Sequence, residues 1–317
     1  MDIHGVAALA EAIRANIGKV IFGKDAEIRL IINALISGGH VLLDDIPGTG
    51  KTSLARALAR SVDGEVKRIQ FTPDLLPSDV TGINFYNQKT GEFVFRRGPV
   101  FTNVLIADEI NRTTPRTQSA LLECMGEGQT TVDGVTYPMA RPFFVIATQN
   151  PIESLGTFPL PEAQCDRFFM KLGLGYPAAD SERGMMDVHG GAVSPLASLT
   201  PVATTADVNA AAEAVKGVRV DASVRDYILS IVTATRESER IRLGVSPRGT
   251  LALLAASRTA AAIDGRDYVI PDDVKSVAVP VLAHRIIAHT QGTVRLTDTN
   301  EKLIEFVLDS VPAPLGA

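Results

Sequence analysis

A chain of 317 residues is long enough to bury a sizeable core and to divide into two domains. Apolar residues make up 45% of it and aromatic residues 5%, with no Trp, which suits a soluble, helix-leaning protein and excludes disorder. The net charge of -5 offers no basic footprint, so nucleic acid is not an expected partner, although an acidic total would hide a basic patch inside a ring.

The first twenty residues carry Asp2, Glu11 and Arg14 inside an apolar pattern, which predicts an amphipathic helix rather than a signal peptide. No run of about 18 apolar residues occurs, so no membrane span is expected. From Lys24 to about Tyr176, short β-like runs alternate with helical patterns, the rhythm of an α/β domain with a doubly wound, mostly parallel sheet. The runs are His40 to Leu43, Val66 to Phe71, Val104 to Ala107 and Phe143 to Ala147. All but the second are nearly all apolar, as strands covered on both faces should be; the second mixes in Lys67, Arg68 and Gln70. Leu54, Ala55, Leu58, Ala59 and Val62 fall on one helical stripe.

Two hairpins interrupt the alternation. Ile83 to Tyr86 and Glu92 to Phe95 flank the loop NQKTG, and Gln129 to Val132 and Val135 to Pro138 flank Asp133-Gly134, a strong hairpin signal. Residues 1–176 are thus expected to form the α/β domain with two hairpin insertions, and residues 177–206 a linker region rich in Ala, Gly, Ser, Thr and Pro. Residues 207–317 are expected to form a small α-helical domain, with helical periodicity in 207–215, 224–238, 247–264 and 272–288. Pro271-Asp272-Asp273 is a helix-start signature.

Cys124 and Cys165 lack CxxC spacing and are read as reduced residues of a cytoplasmic protein. His284 and His289, five apart, would not share a helix face, and they are read as ordinary helix positions.

Chemistry enters at Pro47-Gly48-Thr49-Gly50-Lys51-Thr52-Ser53, set between a β-like run and a helix. Gly48 and Gly50 let backbone N–H groups turn toward phosphate, and the helix start adds its positive end. Lys51 supplies a mobile charge and Thr52 a hydroxyl for Mg²⁺; Thr49 and Ser53 complete the nucleotide-binding segment. The generic pattern has Gly six residues before the lysine where this chain has Asp45, whose carboxylate must point away from the phosphates. The run Val104 to Ala107 ends in Asp108-Glu109, where a doubly wound sheet places ligands. Asp108 would hold Mg²⁺, usually through water, and Glu109 would orient and deprotonate the attacking water. Either acid alone also suits a solvent-facing strand end; both together with Lys51 do not. FFVIATQN, Phe143 to Asn150, is another buried run, ending in polar Asn150.

In order, Gly48 to Thr52, Asp108-Glu109, Asn150, Asp166-Arg167-Phe168 and Ser246-Pro247-Arg248 resemble the Walker A, Walker B, sensor 1, arginine finger and sensor 2 elements of AAA+ ATPases. Within that class, QFTPDLLPSDVTG, ADEINR, ATQNP, LPEAQCDRF and GRDYVIPDDV resemble the MoxR family over nearly the whole chain. The resemblance implies an AAA+ P-loop core with a helical lid, ATP and Mg²⁺ as cofactors, and a homo-oligomeric ring, by family habit a hexamer. It implies that Arg167 reaches a neighbouring subunit's γ-phosphate, with Arg112 and Arg116 as rival fingers, and that Arg248 touches nucleotide in its own or an adjacent subunit. Val20-Ile21-Phe22-Gly23 resembles the apolar turn that packs on adenine in this class. The hairpins match insertions of the branch that holds MoxR, magnesium chelatase and the MCM helicases, where such hairpins face pore or substrate. The function implied is a chaperone that remodels or matures a client protein or metalloenzyme, with a von Willebrand factor A domain partner. The alternatives are the ATPase subunit of a metal chelatase and an MCM-like nucleic-acid motor.

Overall fold

The computed structural model describes residues 1–44, 48–150, 157–189, 195–289 and 299–314. Asp45, with the orientation expected of its carboxylate, lies outside the described residues.

Five parallel strands form the central sheet: β1 (Val41–Asp44), β2 (Val66–Gln70), β3 (Val104–Asp108), β4 (Phe144–Gln149) and β5 (Met170–Leu172). Their order is β5-β1-β4-β3-β2. Every residue of β3 is buried, as are the first five of β4, because helices cover both faces. Alternate residues serve opposite faces. Val104, Ile106, Phe144 and Ile146 join one apolar cluster, and Leu105, Ala107, Val145 and Ala147 the other. The mixed sequence of β2 has its reason here: it is an edge strand, paired on one side only, so Lys67, Arg68 and Gln70 meet solvent or the site. The opposite edge, β5, was not anticipated, since three residues carry too little pattern to register.

The register sets the ends of the strands level, with Asp44 opposite Gln149 and Gln70 opposite Asp108. Helix Lys51–Ser61 springs from this edge and buries Leu54, Ala55, Ala57, Leu58 and Ala59. The first hairpin pairs Gly82–Asn87 with Glu92–Arg97; the second pairs Gln129–Val132 with Val135–Pro138. Asp133 and Gly134 both take positive φ in the second turn, at 50° and 80°. Phe95 stacks on Tyr137 with centroids 4.2 Å apart, and Asn84 donates to Asp133 at 2.8 Å, so the hairpins brace each other.

Helices Thr205–Lys216, Ala222–Glu237, Pro247–Ile263, Pro271–Leu282 and Asn300–Ser310 make up the C-terminal part. The helical periodicity that extends to Ala288 overruns the helix, which ends at Leu282. Beyond it Ala283–Arg285 forms a 3₁₀ turn as His284 and Arg285 fold inward, and Ile287–Ala288 pairs with Ile241–Leu243. His284 is therefore buried in that turn rather than seated on a helix. Helix Asn300–Ser310 also escaped the periodicity reading.

The N-terminal helices Ile3–Gly18 and Asp25–Ile36 pack against the C-terminal helices within a single apolar cluster. Asn33 donates to the Ala256 carbonyl at 2.9 Å, and the Ser37 and Thr259 hydroxyls lie 2.9 Å apart, which satisfies polar groups inside that contact. Among the described residues no helix is long and apolar enough to cross a membrane.

Candidate nucleotide site

A cleft of about 390 Å³ opens at the C-terminal ends of the strands, lined by Gly48, Gly50, Lys51, Thr52, Ser53, Arg68, Gln70, Asp108, Glu109, Thr148, Gln149 and Asn150. Parallel sheets place ligands at this end because backbone dipoles and helix N-termini converge there. Gly48 and Gly50 adopt φ of 85° and 87°, a region L side chains avoid, and among the described residues, chain neighbours aside, no atom lies within 4 Å of where a Cβ would stand on either. The loop therefore presents bare backbone at the start of helix Lys51–Ser61, a cradle that fits phosphate oxygens.

At the cleft floor, Thr52 Oγ1 lies 3.3 Å from an oxygen of Asp108, and Thr148 Oγ1 lies at the same distance from that oxygen. The Asp108 carboxylate is buried and takes the Nε–H of Arg68 at 2.6 Å. A hydroxyl and a carboxylate are hard oxygen donors that fit Mg²⁺.

Glu109 follows β3 in a left-handed backbone conformation, φ 58° and ψ 49°, uncommon for a residue with a side chain and a recurrent mark of active sites. Its N–H is held by Thr148 Oγ1 at 2.9 Å. Its carboxylate accepts from Gln70 Nε2 at 2.7 Å and pairs with Arg112 Nε at 3.2 Å. Asn150 is buried at the end of β4, its carbonyl taken by Asn111 Nδ2 at 3.2 Å. Lys51, Thr52, Asp108, Glu109 and Asn150 thus share one cavity. Sequence reasoning gave no role to Arg68, Gln70 or Thr148; the signal for the first two was polar residues breaking a β-like run.

A second cavity of about 440 Å³ adjoins the first, shares Gly48, Gly50 and Ser53 with it, and also reaches Thr49. Ile21 and Phe22 line it with Val20, as does the pair Met185 and Met186 beside Tyr176 and Pro177. Apolar walls next to a phosphate cradle suit a nucleobase. Gly23 stands behind this wall rather than in it: its φ is 66°, and a Cβ there would collide with Ser181. Tyr176, Met185 and Met186 belong to the stretch read as domain end and linker, where large apolar side chains among polar ones were the overlooked sign.

Arg167 and Arg248 do not line either cavity. The Arg167 guanidinium lies against Gly126, 3.6 Å from where its Cβ would stand, and Arg248 is exposed at the start of helix Pro247–Ile263. The two segments touch each other, since Ser246 Oγ donates to the Asp166 carboxylate at 3.3 Å. Arg112 faces its own Glu109, and Arg116 is exposed on helix Pro115–Glu127. Neither cysteine is near the cleft, and burial pushes both thiols up to about 11, so they are protonated at neutral pH.

Residues 40–170 match the family model described as ATPase family associated with various cellular activities (AAA), and residues 233–305 match the AAA lid domain. The chain is 47% identical to the uncharacterised protein YeaC of Bacillus subtilis over 99% of its own length and 97% of that protein's. It is 41% identical to the chaperone MoxR1 of Mycobacterium tuberculosis, covering 93% of this chain and 80% of that one. The chain belongs to the MoxR family of AAA+ ATPases. Protein MoxR of Paracoccus denitrificans is 32% identical over 95% of both chains. The crystal structure of a candidate ATPase from Cytophaga hutchinsonii superposes with a TM-score of 0.89 at 38% identity, covering 98% of this chain and 96% of that one. As a MoxR-family protein it is an enzyme that binds nucleotide and hydrolyses ATP, in a family that includes chaperones.

Proposed function

We propose that this MoxR-family ATPase is a Mg²⁺-dependent, ring-forming remodelling chaperone of the cytoplasm whose turnover is completed across a subunit boundary. The observation that carries the proposal is the division of the charged groups. Lys51, Thr52, Asp108, Glu109 and Asn150 line one cleft, while Arg167 and Arg248 stand outside it on adjoining segments. Phosphoryl transfer leaves charge on the γ-oxygens that guanidinium groups stabilise, and an arginine supplied from a neighbour raises the rate by about 10³ to 10⁵. Arg112 is engaged within its own subunit, which favours Arg167 as the residue offered outward.

In this scheme the Gly48 to Gly50 backbone and Lys51 hold the β- and γ-phosphates. Thr52 and Asp108 hold Mg²⁺, which neutralises charge on the phosphates when bound. Glu109 turns from Gln70 and Arg112 to take a proton from the attacking water, and Asn150 orients that water or the γ-phosphate. Ile21, Phe22, Met185 and Met186 enclose the base.

A protein client, with a partner carrying a von Willebrand factor A domain, suits the first hairpin. Ile83, Phe85, Tyr86 and Phe93 are 52%, 44%, 54% and 73% exposed, an apolar surface suited to side chains of another protein. The assembly proposed is a hexamer, with domains at 1–176 and 207–317 joined by 177–206.

Glu109→Gln, expected to bind ATP without hydrolysing it, serves as a trap, and pull-down from cells should enrich one client over a Lys51→Ala control. In parallel, Arg167→Ala and Glu109→Gln proteins, each inactive alone, should regain turnover when mixed. Equal recovery from both baits removes the chaperone proposal, and silent mixtures remove the cross-subunit arginine.

A further inference from the structure

Arg285 is a buried cation with no place in the chemistry described above. It closes the 3₁₀ turn Ala283–Arg285, and its side chain is 2% exposed. A buried charge is costly unless every donor is met, and here four of the five hydrogen bonds go to one short piece of chain, 166–169. Nε donates to the Asp166 carboxylate at 2.8 Å, Nη2 to the Phe168 carbonyl at 2.6 Å and the Asp166 carbonyl at 3.4 Å, and Nη1 to the Phe169 carbonyl at 3.2 Å and to Val281. One guanidinium therefore brackets Arg167 on both sides.

The same junction holds the second arginine. The Asp166 carboxylate that receives Arg285 also accepts from Ser246 Oγ at 3.3 Å, and Ser246 caps helix Pro247–Ile263 by accepting from Gly249 N at 3.3 Å. Arg248 is the second residue of that helix. Gly249 keeps this junction tight: a Cβ there would come 2.5 Å from Val245 Cγ1 and 2.9 Å from Arg285 Cδ. Only a planar fork of donors satisfies the Asp166 carboxylate and the carbonyls of Asp166, Phe168 and Phe169 at once; a lysine ammonium, with three donors on one atom, does not.

We infer that Arg285 is a positioning residue that locks the Arg167 segment and the Arg248 helix start into one rigid unit, so that the two guanidinium groups reach the neighbouring subunit's triphosphate at a fixed spacing. The inference rests on the cross-subunit role proposed for Arg167. Buried ion pairs contribute little net stability, and their better-attested use is to specify one arrangement, which is the use made of this one.

Arg285→Met should leave the ATP dissociation constant within about twofold, because the subunit's own cleft is untouched, while kcat falls about 100-fold, the effect of a misplacement near 1 Å. Mixed with Glu109→Gln it should regain turnover, since the partner then presents an intact Arg167 to its cleft; mixed with Arg167→Ala it should not. A merely structural loss in Arg285→Met would not be repaired by the first mixture. If Arg167→Ala is rescued by Glu109→Gln and Arg285→Met is not, the positioning role falls and the cross-subunit role stands. If neither is rescued, both fall. Should Arg285→Met fail to fold, Arg285→Lys keeps a cation beside Asp166 but loses the fork that also reaches the Phe168 and Phe169 carbonyls, and a severalfold drop in kcat at unchanged ATP affinity is expected. An unchanged kcat in Arg285→Lys overturns the inference.

Discussion

Replacing Arg68 by Met strips the Asp108 carboxylate of the cation it faces at 2.6 Å. The acid is then left with hydroxyl donors from Thr52 and Thr148, each at 3.3 Å. A hydrogen bond to a charged group contributes about 1.5–3 kcal/mol, and because the Arg68 side chain is 44% exposed the lower figure applies. The nucleotide-free protein should therefore lose about 1.5 kcal/mol of stability. If, as proposed, Asp108 holds Mg²⁺ in the loaded state, the guanidinium would give way in the parent protein as well, and the penalty would be absent from that state. By linkage, Arg68→Met should bind Mg²⁺-ATP about tenfold more tightly than the parent, with little change when Mg²⁺ is chelated. Titration of a fluorescent ATP analogue with and without Mg²⁺, alongside thermal melts of the free protein, measures both halves. A variant that binds Mg²⁺-ATP more weakly would refute the competition between Arg68 and the metal and make the arginine a phosphate ligand instead.

Lys51→Ala should weaken ATP binding by at least about 100-fold in the same titration, the loss expected of the charge-assisted contact to the phosphates proposed for Lys51. Phe22→Ala, which strips a wall of the cavity proposed for the base, should weaken it about tenfold, while inorganic triphosphate binds as before in competition experiments. His40 is buried just ahead of β1, its Nδ1 accepting from Val145 N and its Nε2 facing the Met125 carbonyl, and burial lowers its pKa to about 4. The unfolded chain, at the ordinary value, takes up the proton first, so the contribution of His40 is complete above about pH 6.5 and is lost as pH falls toward 4, by up to about 1.4 kcal/mol per pH unit. His284, lowered by burial and by Arg285, acts in the same direction. Urea midpoints at pH 7, 5.5 and 4.5 should fall in step, and His40→Gln should flatten the trend.

The strands that were legible in the sequence are those covered on both faces, because Val104 to Ala107 and Phe143 to Ala147 had to be apolar at every position. β2 was legible but puzzling until its edge place explained Lys67, Arg68 and Gln70, and β5 was too short to stand out. The cleft residues could be gathered in advance because each lies at a strand end or helix start, and a parallel sheet brings those ends together. Contacts between distant side chains were beyond reach. Nothing local in the sequence ties Arg285 to Asp166, 119 residues earlier, or Arg68 to Asp108, 40 residues later. Such pairs follow from tertiary packing, and a single sequence holds no periodicity that encodes them.

The apolar cluster shared by the first and last parts of the chain bears on how this family can be recombined. Val6, Leu9, Ile13 and Ile17 of helix Ile3–Gly18 have Ala252, Leu253, Ala256 and Ala260 of helix Pro247–Ile263 in the same buried mass. A lid grafted from a relative would meet a foreign N-terminal helix and mismatched volumes, whereas a graft that carries both segments would bring its own complement. The unit of inheritance in such chimeras is therefore the lid together with the first turns of the polypeptide, although more than two hundred positions separate them.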